Sequence, residues 1–117
     1  MCHEGYKKEL LVSGLRERIQ NLIAQGDVKI SEHGYDELAE DGLTAREVVA
    51  GVTSADIVEE YPDFPKGPSV LLLQRLEDQT PVHVVWGIPR GHQRPAVLVT
   101  AYRPDAERWD QRLLRRL

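Results

Sequence analysis

Three apolar segments in the second half of the chain constrain its fold more than any other feature. They cover residues 69–76, 81–89 and 95–103, and valine, isoleucine or leucine occupies both odd and even positions in them. An amphipathic strand would alternate apolar and polar residues, so this pattern predicts strands that are buried on both faces. The gaps between the segments are short, which favours antiparallel pairing over parallel pairing with long crossovers. A fourth strand is predicted at residues 55–61.

Helical spacing predicts a first helix near the start of the chain. Apolar residues recur every three or four positions across residues 10–25. Ser13 is a candidate N-cap, and Gly26 is expected to end the helix because glycine readily adopts the left-handed conformation there. Residues 28–30 are consistent with either a short strand or an extended link.

Capping residues predict two more helices before the sheet. Ser31 is expected to cap a helix over residues 32–41. Thr44 and Glu47 have the spacing of a capping box and predict a third, short helix that ends at Val52. The inner face of the second helix is predicted to carry Tyr35, Leu38 and Ala39.

The order of these elements predicts an α+β fold. The N-terminal helices would pack on one face of a four-stranded antiparallel sheet. A C-terminal helix is predicted from residue 104 to the end of the chain, since apolar residues recur there at helical spacing. Residues 1–117 are expected to form a single domain.

Composition narrows the classes of function. There is one cysteine, and no apolar run has the ~20 residues that cross a membrane. The N-terminus lacks the apolar segment of a signal peptide, so a cytoplasmic location without membrane association is expected. Phosphate-binding, dinucleotide-binding and zinc motifs are absent from the sequence, and neither a cofactor nor a metal is predicted.

Charge is distributed unevenly along the chain. Residues 1–63 carry 14 acidic and 6 basic side chains, a net charge of −8. Residues 64–117 carry 5 acidic and 9 basic side chains, a net charge of +4, so the whole chain has −4. A basic half is typical of a surface that binds a polyanion such as RNA. A protein with uneven but merely solvated faces would have the same pattern.

Two histidines and a tyrosine are candidates for acid–base chemistry. His83 is the single titratable residue within the most apolar strand, and His33 lies in the first turn of the second helix. Histidine has an unperturbed pKa near neutrality and suits proton transfer. Tyr102 ends the next strand and would lie near His83 if the two strands form a hairpin. The alternatives are a hydrogen-bonded core histidine at position 83 and a surface histidine at position 33.

Arginines at strand ends and in loops are candidates for phosphate binding. Arginine is always charged and can bind a phosphate through two hydrogen bonds. Tyr61 closes the first predicted strand and could equally pack on the core. The candidates for RNA binding are Arg75, Arg90, Arg94 and Tyr61, and Arg103 is the candidate for stabilising charge on a reacting phosphate.

Several short motifs occur in order between about residues 28 and 109, and together they resemble the family numbered 4258 among domains of unknown function. A Ser-Glu-His sequence opens a helix, a Pro-Val-His-Val-Val sequence lies in a strand, and a Thr-Ala-Tyr-Arg-Pro-Asp sequence follows. The other matching segments are residues 42–44, 57–63 and 67–69.

The resemblance implies kinship with small ribonuclease toxins of type II toxin–antitoxin systems, of the RelE and MqsR kind. It implies a sheet with helices on one face, RNA on the other face, and a cognate antitoxin protein as partner. Family members usually carry arginines four and eight residues after the helix histidine. Glu37 and Asp41 stand at those positions in this chain and reverse the charge there.

The leading functional interpretation is a metal-independent endoribonuclease toxin. The 2′-hydroxyl of RNA would attack the adjacent phosphate while a base removes its proton and an acid protonates the leaving oxygen. His33 and His83 would act as base or acid, Tyr102 as proton donor or positioning group, and Arg103 as charge stabiliser. A non-catalytic binding or regulatory module with the same fold and a small-molecule enzyme that uses His83 are the alternatives.

Overall fold

Three α-helices and one five-stranded sheet make up the part of the chain that can be described. A computed structural model describes residues 14–105, 107–110 and 112–114. The helices are α1 (Leu15–Ala24), α2 (Glu32–Glu40) and α3 (Ala45–Ala50), and a single 3-10 turn (Gly51–Ser54) follows α3. The strands are β1 (Val28–Ile30), β2 (Asp56–Tyr61), β3 (Ser69–Arg75), β4 (Pro81–Gly87) and β5 (Ala96–Tyr102).

The predicted helix starts in the middle of the chain are confirmed at their caps. The Ser31 hydroxyl accepts a hydrogen bond from the backbone N–H of Gly34, and Thr44 forms the predicted reciprocal capping box with Glu47. The predicted inner face of α2 is wrong in part, because Leu38 is buried but Tyr35 is 58% exposed and Ala39 is also exposed.

The first helix ends where the sequence predicts. Gly26, with φ +78°, follows its C-cap and takes the left-handed conformation that side chains disfavour. The predicted N-cap, Ser13, and the rest of residues 10–13 lie outside the described residues.

The prediction of a four-stranded antiparallel sheet is wrong, because the sheet has five strands and is mixed. The strand order is β1-β5-β4-β3-β2, and β1 pairs in parallel with β5 from Val28–Ala96 to Ile30–Leu98. The other neighbours pair antiparallel. A segment of three residues has no measurable periodicity, and its partner lies far along the chain, so local pattern could not assign it.

The inner face of the sheet packs against all three helices and forms the main core. Trp86 of β4, 0% exposed, lies in this cluster with residues of α1, α2 and α3. Gln74 is buried there too, and it links three elements: it accepts a hydrogen bond from Trp86 Nε1 at 2.8 Å and donates one to the carbonyl of Val48 at 2.6 Å. The buried core residues that the three helices contribute are Leu15, Ile19, Leu38 and Val48.

The predicted C-terminal helix is also wrong for the residues that can be described after β5. Residues 107–110 and 112–114, here called the C-terminal segment, form turns and bends with a β-bridge at Trp109, and no α-helix. The Asp105 carboxylate accepts from the N–H of Glu107, and the Asp110 carboxylate accepts from those of Arg112 and Leu114. Aspartate side chains that bond nearby backbone N–H groups compete with the helical hydrogen bonds. Apolar periodicity alone did not predict that competition.

Candidate functional site

The face of the sheet opposite the helices, here called the outer face, carries the predicted site residues His83 and Tyr102. Because side chains alternate across a strand, the register assigns each residue to a face. Leu73 of β3, His83 of β4 and Tyr102 of β5 are directly paired neighbours on the outer face. Gly87 and Val97 form another pair on this face, roughly 13 Å further along β4 at ~3.3 Å per residue.

His83 and Tyr102 form a closed pair at one end of the outer face. The Nδ1 atom of His83 lies 3.3 Å from the Tyr102 hydroxyl, and Nε2 lies 2.7 Å from the carbonyl oxygen of Leu113. A carbonyl only accepts, so in the neutral ring Nε2 carries the proton and Nδ1 accepts from the tyrosine. The indole of Trp109 meets the imidazole edge to face at 4.4 Å between ring centroids. His83 is fully buried, so in this arrangement its imidazole is not accessible for proton transfer to or from a ligand.

A cleft of about 340 Å³ lies at the other end of the outer face. That volume is at the lower end of the range for small-ligand sites. His33 stands on its rim with a side chain that is 65% exposed. The Glu37 carboxylate lies 3.4 Å from His33 Nε2, one helical turn away. The lining is mostly apolar and comprises Ser31, His33, Phe64, Lys66, Gly67, Ser69, Gly87, Ile88, Pro89, Val97 and Val99.

The first turn of α2 holds His33 in place because the helix lies directly against β5. The Ser31 hydroxyl donates to the carbonyl of Val99 at 3.1 Å while it caps the helix. Gly34 is buried, and a Cβ atom there would lie 2.8 Å from the carbonyl oxygen of Leu98. Only glycine permits this close approach, so the first turn of α2 is fixed relative to the sheet.

The loop between β2 and β3 supplies Phe64 and Lys66 to the same cleft. A Cβ atom at Gly67, whose φ is +134°, would lie 2.0 Å from the carbonyl oxygen of Ile88. The backbone N–H of Arg90 donates to the Lys66 carbonyl at 2.9 Å and ties the loop to the end of β4. Phe64 is 44% exposed, an unusual state for a large apolar side chain in a loop that is held this firmly.

The outer face separates the two predicted histidines. His83 contacts Tyr102, as the predicted hairpin requires, but His33 lines a cleft to which neither His83 nor Tyr102 contributes a wall. His33 therefore does not share a cleft with His83 and Tyr102, which joint acid–base chemistry by the three side chains would require.

The predicted arginines divide between the two ends of the sheet. Arg75 donates to the Gln79 carbonyl in the β3–β4 turn. Thr80 lowers the pKa of the Asp78 carboxyl in that turn by hydrogen bonding, and the positive charge of Arg103 lowers it further. Arg103 also donates from its backbone and its Nε to Asp41, at 2.8 and 3.1 Å.

Arg90 and Arg94 lie at the opposite end, in the β4–β5 loop. Arg90 donates to the carbonyl of Pro65, and Arg94 forms an ion pair with Asp27. Four arginines at opposite ends of a seven-residue strand do not make one basic patch. Tyr61, at the end of β2, donates its hydroxyl to Glu59 at 3.1 Å.

Sequence reasoning missed Phe64, Lys66 and Ser69 as site residues. The first two lie in a loop between β2 and β3 that contains Pro62, Pro65 and Pro68. An exposed phenylalanine between prolines was the available signal, because rigid loops commonly present binding residues.

Two further features are absent from residues 14–105, 107–110 and 112–114. No three His, Cys, Asp or Glu side chains in that part are grouped so as to hold a metal ion. No helix there is long and apolar enough to cross a membrane.

The fold and the site define an α+β protein with helices on one sheet face and an open, histidine-bearing cleft on the other. The chain belongs to the family described as a domain of unknown function (DUF4258), whose model matches residues 30–103. The resemblance to that family is confirmed, and the kinship with ribonuclease toxins stays a prediction. No curated protein and no solved structure matches the chain.

Proposed function

We propose that the chain is a metal-independent endoribonuclease that binds RNA in the cleft beside His33. The observation that supports this most directly is the combination of three accessible groups around one cleft. They are the imidazole of His33, the ammonium group of Lys66 and the exposed ring of Phe64. An imidazole transfers protons near neutrality, a lysine binds phosphate, and an aromatic ring stacks on an unpaired base.

In the reaction His33 acts first as the base and then as the acid, and Lys66 stabilises charge. Neutral His33 takes the proton of the 2′-hydroxyl as its oxygen attacks the adjacent phosphorus. Lys66 offsets the charge that accumulates on the phosphorane oxygens. The bond from phosphorus to the 5′ oxygen then breaks, and the proton returns from the imidazolium to that oxygen. The products are a 2′,3′-cyclic phosphate and a 5′-hydroxyl end.

Cleavage of a labelled RNA oligonucleotide in a buffer containing a chelator tests this proposal. Wild type is expected to produce fragments with cyclic phosphate ends. His33→Gln is expected to cleave at a rate that is lower by about 100-fold or more. An oligonucleotide with a single 2′-deoxyribose should resist cleavage at that position.

His92→Gln is the matched control, because His92 is another exposed histidine and does not line the cleft. It should cleave at the wild-type rate. Equal rates for His33→Gln and wild type would exclude His33 as the base.

A non-catalytic binding module is the second candidate, and the state of the other predicted catalytic groups favours it. His83 is buried, and Arg103 is bonded to Asp41. Under this alternative the cleft binds RNA without cutting it. Binding that is weakened by Lys66→Ala, together with intact RNA after long incubation, would support this candidate over the first.

We also propose that a cognate antitoxin protein binds the outer face and that the enzyme acts in the cytoplasm. The support is the motif resemblance, since a ribonuclease toxin needs a neutralising partner. Co-expression with the products of adjacent genes, followed by size-exclusion chromatography, tests for the complex. Failure of every such product to co-elute would count against a partner of this kind.

A further inference from the structure

The floor of the cleft beside His33 is a row of paired residues across three strands. Gly87 of β4 pairs with Ser69 of β3 on one side and with Val97 of β5 on the other. Gly87 has no side chain, so the row is open above the middle strand, and a Cβ atom there would lie 2.8 Å from Ser69 Oγ. The cleft is therefore a recess with a mostly apolar interior rather than a flat surface.

The hydrogen-bond donors inside this recess are already used by the protein itself. The hydroxyl of Ser31, the hydroxyl of Ser69 and the backbone N–H of Ile88 each donate to a backbone carbonyl at 3.1 Å. A ligand inside the recess gains little from these donors. Apolar contact and stacking are what the interior offers to it.

The groups that can bind an anion lie in exposed positions around the recess. Lys66 and His33 are both exposed and both line the cleft. A lysine carries a positive charge, and an imidazole donates a hydrogen bond from a ring nitrogen. The ring of Phe64 is 44% exposed and is available for stacking. A ligand that matches all three has a planar, apolar part and an anionic part beside it, which is the chemistry of a nucleotide.

The size and the lining of the cleft favour one unpaired base. Its volume of about 340 Å³ is at the lower end of the range for small-ligand sites. Bases in a duplex are stacked and paired, so only an unpaired base can enter a recess of this kind. Every base has a face that can stack, whereas recognition of one particular base needs hydrogen bonds to its edge. The cleft provides the first of these and few donors for the second.

We propose that the cleft is a subsite for a single unpaired nucleotide of any base. The base enters the recess beside Phe64, and the phosphate lies next to Lys66 and His33. Base identity has little effect because stacking, rather than recognition of base edges, supplies the binding. The choice of RNA as the source of the nucleotide rests on the proposed function, but entry of the base does not.

Titration of the full-length chain with nucleoside monophosphates, followed by NMR, measures this subsite directly. AMP, GMP, CMP and UMP should each shift the methyl resonances of Val97 and Val99, with dissociation constants within about 10-fold of one another. Ribose 5-phosphate lacks a base and should bind more weakly than AMP by about 10-fold or more. Ribose 5-phosphate that binds as tightly as AMP would overturn entry of the base. One base that exceeds the other three by more than about 10-fold would overturn the tolerance.

Two variants of the recess and one control test the placement of the base. Phe64→Ala removes the stacking ring, and Val97→Phe fills the space above Gly87. Each should weaken AMP binding by about 10-fold and leave ribose 5-phosphate binding unchanged. Tyr35→Ala is the matched control, because Tyr35 is an aromatic residue with 58% exposure that does not line the cleft. Wild-type affinity for AMP in either folded recess variant would overturn the proposal.

An RNA that cannot be cleaved separates this proposal from the proposed function. A single-stranded 2′-O-methyl oligoadenylate should bind more tightly than AMP, because further phosphates add contacts, and pairing with its complement should weaken binding. An oligoadenylate that binds no more tightly than AMP would support the subsite and contradict RNA as its ligand. Equal binding of the single strand and the duplex would overturn the requirement for an unpaired base. Cleavage of RNA by Phe64→Ala at the wild-type rate would support the ribonuclease and overturn the base subsite.

Discussion

At the scale of single residues, the two histidines have opposite physical situations. His33 is mostly exposed and its nearest charged neighbour is a carboxylate at 3.4 Å, a contact that contributes little to stability in water. His83 is fully buried with hydrogen-bond partners at both ring nitrogens. A buried group of this kind stabilises the fold, whereas an exposed one is available to a substrate.

Substitution of His83 by glutamine is therefore expected to lower stability. The amide cannot reproduce both ring hydrogen bonds or the packing against Trp109, and an unsatisfied buried group costs ~1–3 kcal/mol. The free energy of unfolding in urea measures the loss. His33→Gln is the control and should change the unfolding free energy by less than ~0.5 kcal/mol. Equal stability of the two variants would show that the buried hydrogen bonds of His83 contribute nothing net.

Gln74 gives a second prediction at this scale. Gln74→Leu would leave the Trp86 N–H and the Val48 carbonyl without their side-chain partner in a fully buried site. The Val48 carbonyl keeps a backbone N–H partner at the C-cap of α3, so the Trp86 N–H is the group left unsatisfied, and the expected loss is ~1–3 kcal/mol, measured by chemical denaturation. Trp86→Phe in the same protein removes the orphaned donor, so the double variant should lose less than the sum of the two single variants. Strict additivity would mean that the two side chains do not interact.

At the scale of elements, the close contact of α2 with β5 decides where the cleft lies. Gly34→Ala would place a methyl group 2.8 Å from the backbone oxygen of Leu98, and neither backbone can move without loss of hydrogen bonds. We expect destabilisation of ~1–3 kcal/mol, the range for overpacking, and a displaced His33. Thermal melting and RNA cleavage report the two effects. Glu40→Ala, an exposed change on the same helix, should leave both unchanged; a Gly34→Ala protein as stable as wild type would contradict the close packing.

Elements with strong local signals could be predicted from the sequence, and elements that depend on distant contacts could not. The caps at Ser31 and Thr44 are local hydrogen bonds, so their residues sufficed to place α2 and α3. β1 exists because it pairs with β5, almost seventy residues later, and three residues carry too little pattern to reveal that. The C-terminal turns follow from aspartate side chains that compete with a helix, which hydrophobic spacing does not register.

The candidate site shows the same difference between features with local signals and features that depend on distant contacts. Pairing of His83 with Tyr102 follows from an antiparallel neighbour relationship that the sequence predicts. The cleft does not follow from sequence, because it joins the start of α2, the β2–β3 loop and the ends of three strands. Phe64 and Lys66 become neighbours of His33 only once the sheet has been assembled.

At the scale of the whole molecule, net charge and local charge have different consequences for RNA binding. The chain carries −4 overall, and its arginines are spread over both ends of the sheet. Phosphate contacts supply much of the affinity for nucleic acid, so binding in the cleft is expected to be weak and to depend on a small number of cations. Among the described residues that line the cleft, Lys66 is the one with a permanently cationic side chain.

Glu37→Arg should strengthen RNA binding because it replaces a carboxylate beside His33 with a cation at the rim of the cleft. Each added phosphate contact steepens the dependence of log K on log salt by ~0.7 for a single strand. We therefore expect a higher affinity at low salt and a slope that is steeper by about that amount, measured by fluorescence anisotropy from 50 to 200 mM salt, roughly the range over which such contacts are lost. Glu77→Arg makes the same change in net charge, from −4 to −2, on an exposed turn at the opposite end of the sheet. If both variants bind RNA equally tightly and with equal slopes, overall charge rather than the cleft governs binding, and the placement of RNA beside His33 is wrong.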